Sequence, residues 1–252
     1  MHLRHKVVTL SIEFDPFAIT PCPFSPPKPA MPLMILCSIP MPTGQEWGLI
    51  VFAYLLGSIP FGFILARLKG VNLHTFGSGN IGATNTSRAI GKPLGLLAFT
   101  LDFLKGYAPY AWLVPAFGGD GMDPRVLGVI MGGAATCGHV WPVFLRFKGG
   151  KAVATGCGAL VAHAPTVFLL GGVGFLIAAF STGFVSLASI IMVCLFPLIA
   201  YEEMDTEIYG MEVVWGTIAF ALLVIWRHRE NLKRLFSGLE PSIHKSKKSK
   251  DS

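Results

Sequence analysis

Residues 152–181 read AVATGCGALVAHAPTVFLLGGVGFLIAAFS, thirty residues without an acidic or basic charge apart from His163, and whether they cross a bilayer once or twice decides the topology of the chain. A hydrocarbon core of ~30 Å takes about 20 helical residues, so this stretch is long for one span and short for two. His163-Ala164-Pro165 offers a turn near its middle, since proline suits the first turn of a helix. The charges on either side favour two. Arg146, Lys148 and Lys151 precede the stretch, and the next connection carries Glu202, Glu203, Asp205 and Glu207. Lysine and arginine collect in cytoplasmic loops, and only an odd number of spans with a thin hairpin at 152–181 keeps basic and acidic loops on opposite sides.

Outward from there, further apolar segments lie near 47–68, 93–115, 125–145 and, after the hairpin (152–164, 166–181), near 184–201 and 212–226. The expected fold is all-α: a polytopic transmembrane helix bundle of seven spans, with the N-terminus outside and the C-terminus cytoplasmic. Arg67, Lys69, Arg88 and Lys92 mark one cytoplasmic loop, and Arg227, Arg229, Lys233 and Arg234 the last segment, while Asp120 and Asp123 mark an outer connection. Composition agrees. The chain is 52% hydrophobic and 13% charged, about half the charge of a globular protein, with mean hydropathy +0.60. Its 29 glycines suit close helix packing in a membrane, as at Gly128 and Gly132.

The ends are compositionally different. Residues 1–45 hold nine of the 18 prolines and read as a disordered leader, or as sequence ahead of a true start at Met41. Glu13 and Asp15 interrupt the apolar run that a signal peptide would need. Residues 46–236 form the membrane domain, and 237–252 a basic, disordered tail. The net charge of +6 belongs to cytoplasmic loops and this tail, which meet the lipid bilayer and no nucleic acid. None of the five cysteines has metal-ligand spacing.

The polar residues form short clusters at the cytoplasmic ends of the apolar segments. Gly77-Ser78-Gly79-Asn80-Ile81-Gly82-Ala83-Thr84-Asn85, followed by Arg88, reads as a phosphate cradle. Its glycines admit close backbone approach, Ser78, Asn80, Thr84 and Asn85 donate hydrogen bonds, and Arg88 supplies a bidentate charge. A helix from Ala83 to Ile90, stopped by Gly91, would add its N-terminal amides. The alternative is a glycine-rich turn between helices. Phe147-Lys148-Gly149-Gly150-Lys151 is a second such loop, either a second phosphate site or two lysines at a helix end. His228 and Asn231 share a helical face, where the first could accept a proton and the second hold a hydroxyl. Ser186 and Ser189 read as hydroxyl donors or as helix glue. Asp102 and Lys105 lie inside an apolar segment, where charges mark function or a buried ion pair, and His139 reads as a structural histidine. There is no P-loop lysine, zinc spacing, nucleophile elbow or paired carboxylate beside these clusters.

Taken together, Gly57-Ser58-Ile59-Pro60, the 77–85 loop with Arg88, Asp102 with Lys105-Gly106, Gly138-His139 with Pro142, Phe147 to Lys151 with Val153-Ala154-Thr155, Ser186-Leu187, and Arg227-His228-Arg229 with Asn231 resemble the acyl-phosphate-dependent glycerol-3-phosphate acyltransferases of bacterial membranes. The match runs from about Trp47 to Glu240. The resemblance implies transfer of a fatty acyl group from acyl phosphate to the 1-hydroxyl of glycerol 3-phosphate, the first step of membrane phospholipid synthesis. It implies seven spans in the cell (inner) membrane, an active site at the cytoplasmic face, no cofactor or metal, and a functional link to the enzyme that makes acyl phosphate. On that reading, Gly77, Ser78, Gly79, Asn80, Gly82, Thr84, Asn85, Arg88, Lys148 and Lys151 bind phosphate. Ser186, His228 and Asn231 hold the glycerol phosphate, with His228 as proton acceptor, and Asp102, Lys105 and His139 support them. The family pattern has glycine where this chain has Ala152, whose methyl group would strain a positive φ, so the expectation rests more on Lys148 than on Lys151. A non-catalytic membrane transporter of phosphate or other anions is the competing class.

Overall fold

A computed structural model describes residues 41–119, 121–203 and 209–244. The leader to residue 40, Asp120, Asp205, Glu207 and the tail from Lys245 lie outside the described residues, together with the expectations attached to them. The described residues contain helices and loops and no strand.

The first helix, α1 (Gly44–Gly57), begins three residues upstream of the expected apolar segment because Thr43 and Glu46 form a capping box. Glu46 Oε2 accepts the Thr43 N–H at 2.7 Å, and the Glu46 N–H reaches Thr43 Oγ1 at 3.3 Å. The Met122 N–H also donates to Glu46 Oε1 at 2.9 Å, tying the start of α1 to the loop before Pro124. Pro60 breaks the helix, and α2 (Phe61–Leu68) resumes it. After the polar loop come α3 (Ala83–Ile90), stopped by Gly91 at φ 94°, and α4 (Lys92–Ala108), which passes through a π turn at Pro109–Leu113 into α5 (Val114–Phe117). Then follow α6 (Pro124–Val140), α7 (Val153–His163), α8 (Pro165–Thr182), α9 (Val185–Glu203), α10 (Met211–Arg227) and α11 (Arg229–Phe236). The expected turn at His163-Ala164-Pro165 separates α7 from α8.

Among the described residues, four helical stretches are long and apolar enough to cross a membrane: Gly44–Leu68 (α1 with α2), Pro124–Leu145, Pro165–Thr182 and Val185–Glu203. α10 and α11, bent by 54° to one another, pass the same test only when taken together. The seven expected segments are all helical, but two fall short of that test for evident reasons. Lys92, Asp102 and Lys105 lower the apolarity of α4, and α7 has only 11 residues.

Packing is by close backbone approach. α4 lies against α7, α1 against α6, and α8, α9 and α10 in sequence. Along the first pair, a methyl group on Gly106 would overlap the Thr155 carbonyl and one on Gly158 the Phe103 carbonyl, so the small residues set the helix separation. A core of Cys157, Leu160, Met192, Val193, Phe196, Val213 and Val224 joins α7, α9 and α10. Between α6 and α7 the chain makes a tight loop in which Arg146, Phe147 and Ala152 take φ of 52°, 63° and 60°. Ala152 therefore does adopt the left-handed conformation that glycine would enter without strain.

Two stability changes follow. Gly106→Ala should lower thermal stability in detergent by about 1–3 kcal/mol through overpacking, whereas Gly48→Ala, whose added methyl meets nothing within 4 Å, should cause no loss, since alanine lacks glycine's entropy cost in a helix. Ala152→Gly should raise stability by about 1 kcal/mol or less, the relief of left-handed strain being partly offset by glycine's entropy. A thermal melt of the three purified variants checks both.

Candidate active site

The polar clusters that the sequence places at helix ends converge on one cavity of about 690 Å³, lined from the 77–88 segment, α4, α6, the start of α7, α9 and the chain from His228 to Pro241. Its first wall is the glycine loop. Gly77 and Gly79 take φ of 55° and 72°, and Asn80 Oδ1 accepts the Gly82 N–H at 3.1 Å. Asn85, expected as a phosphate donor, is buried and spent on the loop itself. Its Oδ1 accepts the Ser78 N–H at 3.2 Å, and its Nδ2 donates to Phe76 O at 3.0 Å and Asn80 O at 2.9 Å. It acts as the internal strut of the cradle. Gly77, Ser78, Asn80, Gly82, Thr84, Asn85 and Arg88 line the cavity, with Ser78, Thr84 and Arg88 exposed, while Gly79 shapes the turn from outside the lining.

The second wall departs from expectation. Lys148 is exposed and outside the lining, whereas Lys151, half-buried, points into the cavity and donates to Asn231 Oδ1. Ala152, in the left-handed conformation, is the N-cap of α7, so Lys151 stands directly ahead of that helix. Burial, then the charges of Arg234, Arg227 and Arg88 acting against Glu240, push the Lys151 ammonium down to about 8. The loop is fixed from both sides. Arg227 donates to Gly150 O and Gly149 O, each at 3.0 Å, and the Gly150 N–H donates to His139 O at 3.0 Å. A side chain at Gly150 would collide with the His139 ring.

Beneath that loop lies the buried group of Asp102, Lys105 and His139. Lys105 Nζ is 2.8 Å from Asp102 Oδ1 and donates to Ile59 O at 2.6 Å, in the break between α1 and α2. His139 Nδ1 is 3.6 Å from the same carboxylate oxygen. Asp102 and His139 line the cavity floor, and Lys105 lies behind it.

The third wall is the turn from α10 into α11. His228 is 3% exposed, and its Nδ1 lies 2.8 Å from Val224 O. In the neutral ring Nδ1–H donates there, leaving Nε2 as acceptor. Burial, helped by the Lys151 charge, pushes its pKa down to about 4. Asn231 and Ser186 both donate to Glu240 Oε1 at 2.7 Å, and Arg234 Nε donates to Oε2 at 2.9 Å. Partial burial acts to raise the Glu240 pKa, but these three bonds outweigh it and hold the carboxyl below its usual range.

Glu240 was not expected as a site residue, and its segment was read as the start of a disordered tail. Residues 237–244 are instead held by two devices: Gly238 turns at φ 68°, and the Ile243 N–H donates to Gly183 O at 2.9 Å. The signal was a lone carboxylate just past a basic helix and a glycine. Ser186 and Ser189 both line the cavity, although Ser189 Oγ is committed to Val185 O at 2.8 Å. Among the described residues, no cluster of His, Cys, Asp and Glu could hold a metal ion. The cavity thus gathers Arg88, Lys151 and Arg234 against Glu240 and Asp102, beside a neutral imidazole and several hydroxyl and amide donors, an arrangement suited to holding anions next to a group that loses a proton.

Comparison with known proteins gives this geometry a family. Residues 47–238 match the sequence profile of glycerol-3-phosphate acyltransferases. A glycerol-3-phosphate acyltransferase of Aquifex aeolicus is 46% identical over 192 residues, covering 76% of this chain and 96% of the relative. One of Macrococcus caseolyticus is 40% identical over 198 residues, covering 77% and 95%. Two crystal structures of PlsY, an integral membrane glycerol 3-phosphate acyltransferase, superpose with TM-scores of 0.72 (glycerol 3-phosphate form) and 0.70 (lysophosphatidic acid form). Both are 44% identical and cover 79% of this chain, and 96% and 95% of theirs. The chain is an integral membrane protein of helical fold, and it belongs to the glycerol-3-phosphate acyltransferase family.

Proposed function

We propose that this protein transfers a fatty acyl group from acyl phosphate to the 1-hydroxyl of glycerol 3-phosphate, at the cytoplasmic face of the cell membrane, within a seven-span bundle. The observation that carries the reading is the single cavity in which Arg88 and Lys151 face the His228–Asn231 turn. The activity of the relatives supports the acceptor, and the donor follows from the resemblance of the sequence motifs to the acyl-phosphate-dependent acyltransferases. With a donor that is already activated, direct attack by the acceptor hydroxyl needs no acyl-enzyme. Acyl phosphate is a mixed anhydride whose phosphate leaves readily.

The residues then act chiefly by placement, which can contribute ~7–11 kcal/mol to a bimolecular reaction. The 77–85 loop with Arg88 binds one phosphate, and Lys151 the other. Ser186 and Asn231 hold the acceptor, and His228 Nε2 accepts the proton as the hydroxyl oxygen attacks the acyl carbon. The bond from acyl carbon to phosphate oxygen breaks, and inorganic phosphate departs with the electron pair. Asp102, Lys105 and His139 brace the loop that carries Lys151. The enzyme that supplies acyl phosphate is the natural functional partner.

Purified protein in detergent, given acyl phosphate and glycerol 3-phosphate without acyl-CoA or acyl carrier protein, should form lysophosphatidic acid and phosphate in equal amounts. Absence of product, or a covalent acyl-protein on the reaction path, contradicts the reading. His228→Ala should lower kcat by about 10²–10⁴, and near-normal turnover by the folded variant would remove its base role. The pH profile carries two signs. His228, at about 4, is already neutral near pH 6, so its protonation does not slow turnover between pH 6 and 8. Lys151, at about 8, loses its charge as pH rises through that value. The KM for the phosphate substrate it binds should therefore climb above pH 8, and Lys151→Arg should flatten the climb.

A further inference from the structure

α6, α7 and α10 enclose a second groove of about 390 Å³ that shares no lining residue with the catalytic cavity. Its floor is made of small and apolar groups, among them Gly132, Gly156, Ala159 and Leu160. The two hydroxyls in it are committed to their own helices: Thr136 Oγ1 donates to Gly132 O at 2.8 Å, and Thr217 Oγ1 to Val213 O at 2.9 Å. The lining therefore presents mostly hydrocarbon, with His163 only at the end away from the site. Gly133 and Ala219 stand exposed along its mouth, and a side chain added at Gly133 meets nothing within 4 Å.

The end nearest the catalytic cavity is different. There Trp141 lines the groove and packs against Trp226, ring centroids 5.9 Å apart. Two guanidinium groups stand over the Trp226 ring, Arg227 at 5.5 Å and Arg229 at 4.9 Å. The Arg229 side chain is 51% exposed, with the Glu230 carboxylate 3.8 Å away and the Trp226 carbonyl 3.2 Å away. Arg227 holds the carbonyls of Gly149 and Gly150, in the loop that carries Lys151. An apolar trough ending in paired tryptophans and arginines matches a lipid whose chain lies in the bilayer and whose phosphate lies at its surface.

We propose that this groove binds one anionic glycerophospholipid, with an acyl chain along α6 and α10 and the phosphate beside Arg229 and the Trp141–Trp226 rim. Through Arg227, the bound lipid steadies the Gly149–Lys151 loop and so raises catalytic efficiency in anionic membranes. This second part rests on Lys151 acting in the proposed reaction, while the binding itself does not. A helix from a second copy is the less suitable occupant, because a symmetric pair in one bilayer would bring two such basic rims side by side.

Native mass spectrometry of protein equilibrated with an equimolar mixture of phosphatidylglycerol and phosphatidylcholine tests binding without turnover. The wild type should retain one phosphatidylglycerol, and Gly133→Leu, which fills the groove, and Arg229→Gln should each lose it. Equal retention by all three proteins, or equal retention of both lipids, overturns the site. A wild-type dimer that Gly133→Leu dissociates would give the groove to a second copy and overturn it as well. For the coupling, kcat/KM in vesicles containing phosphatidylglycerol should exceed that in pure phosphatidylcholine by about fivefold, on the scale of one arginine at an anionic surface. Both variants should lose that difference while matching the wild type in phosphatidylcholine. Lipid retention without a vesicle effect overturns the coupling.

Discussion

The arrangement depends on a charge that an apolar bundle cannot leave alone. Asp102 and Lys105 are both almost fully buried, and an ion in such surroundings is tolerated only when paired and hydrogen-bonded. Lys105 satisfies that requirement by reaching back to Ile59 O, where Pro60 has already broken the first helix. Asp102 Oδ1 also lies 3.6 Å from His139 Nδ1, a close approach without a hydrogen bond, and the His139 carbonyl receives the Gly150 N–H. One buried pair thus joins α4 to the α1–α2 break, to α6 and to the loop before α7. Removing either partner would leave the other uncompensated, and the loop carrying Lys151 would lose the floor it rests on.

The walls of the cavity divide the work between rigid and titratable parts. Asn85 makes the glycine loop stiff from within, so its exposed donors are held in place before any anion arrives, which is the condition under which electrostatic stabilisation costs least at the moment of reaction. Opposite it, Lys151, Asn231, Ser186, Arg234 and Glu240 form a connected network around one carboxylate. Burial in that network depresses both Lys151 and His228, leaving one cation and one neutral acceptor at neutral pH. The proposed reaction, with an approaching phosphate and an ionising hydroxyl, uses that pair of states.

Much of this was legible in the sequence because it is local. Apolar runs marked the helices, His163-Ala164-Pro165 marked the turn between α7 and α8, and Gly82 to Gly91 marked α3 with both its ends. Thr43 and Glu46 spelled a capping box that would have moved the start of α1 from Trp47 to Gly44. What was not legible depends on tertiary direction. The glycine-rich loop offers both Lys148 and Lys151 and the family pattern favours the first, whereas the fold turns the second into the cavity. Asn85 has the composition of a ligand donor and the position of a strut. Glu240 follows a glycine at the edge of a basic tail, and only the fold brings it to Ser186, 54 residues away. The span count was blurred for a related reason, since the charges that build the site also lower the apolarity of α4.

The most direct measurement is an experimental structure with glycerol 3-phosphate and a non-hydrolysable acyl-phosphate analogue bound together. The account predicts both phosphates in the one cavity, with Arg88 and Lys151 each in contact with a phosphate oxygen. It also predicts the 1-hydroxyl at about 2.6–3.2 Å from His228 Nε2, within hydrogen-bond reach. Phosphates bound elsewhere, or a hydroxyl turned away from His228 toward another acceptor, would contradict it.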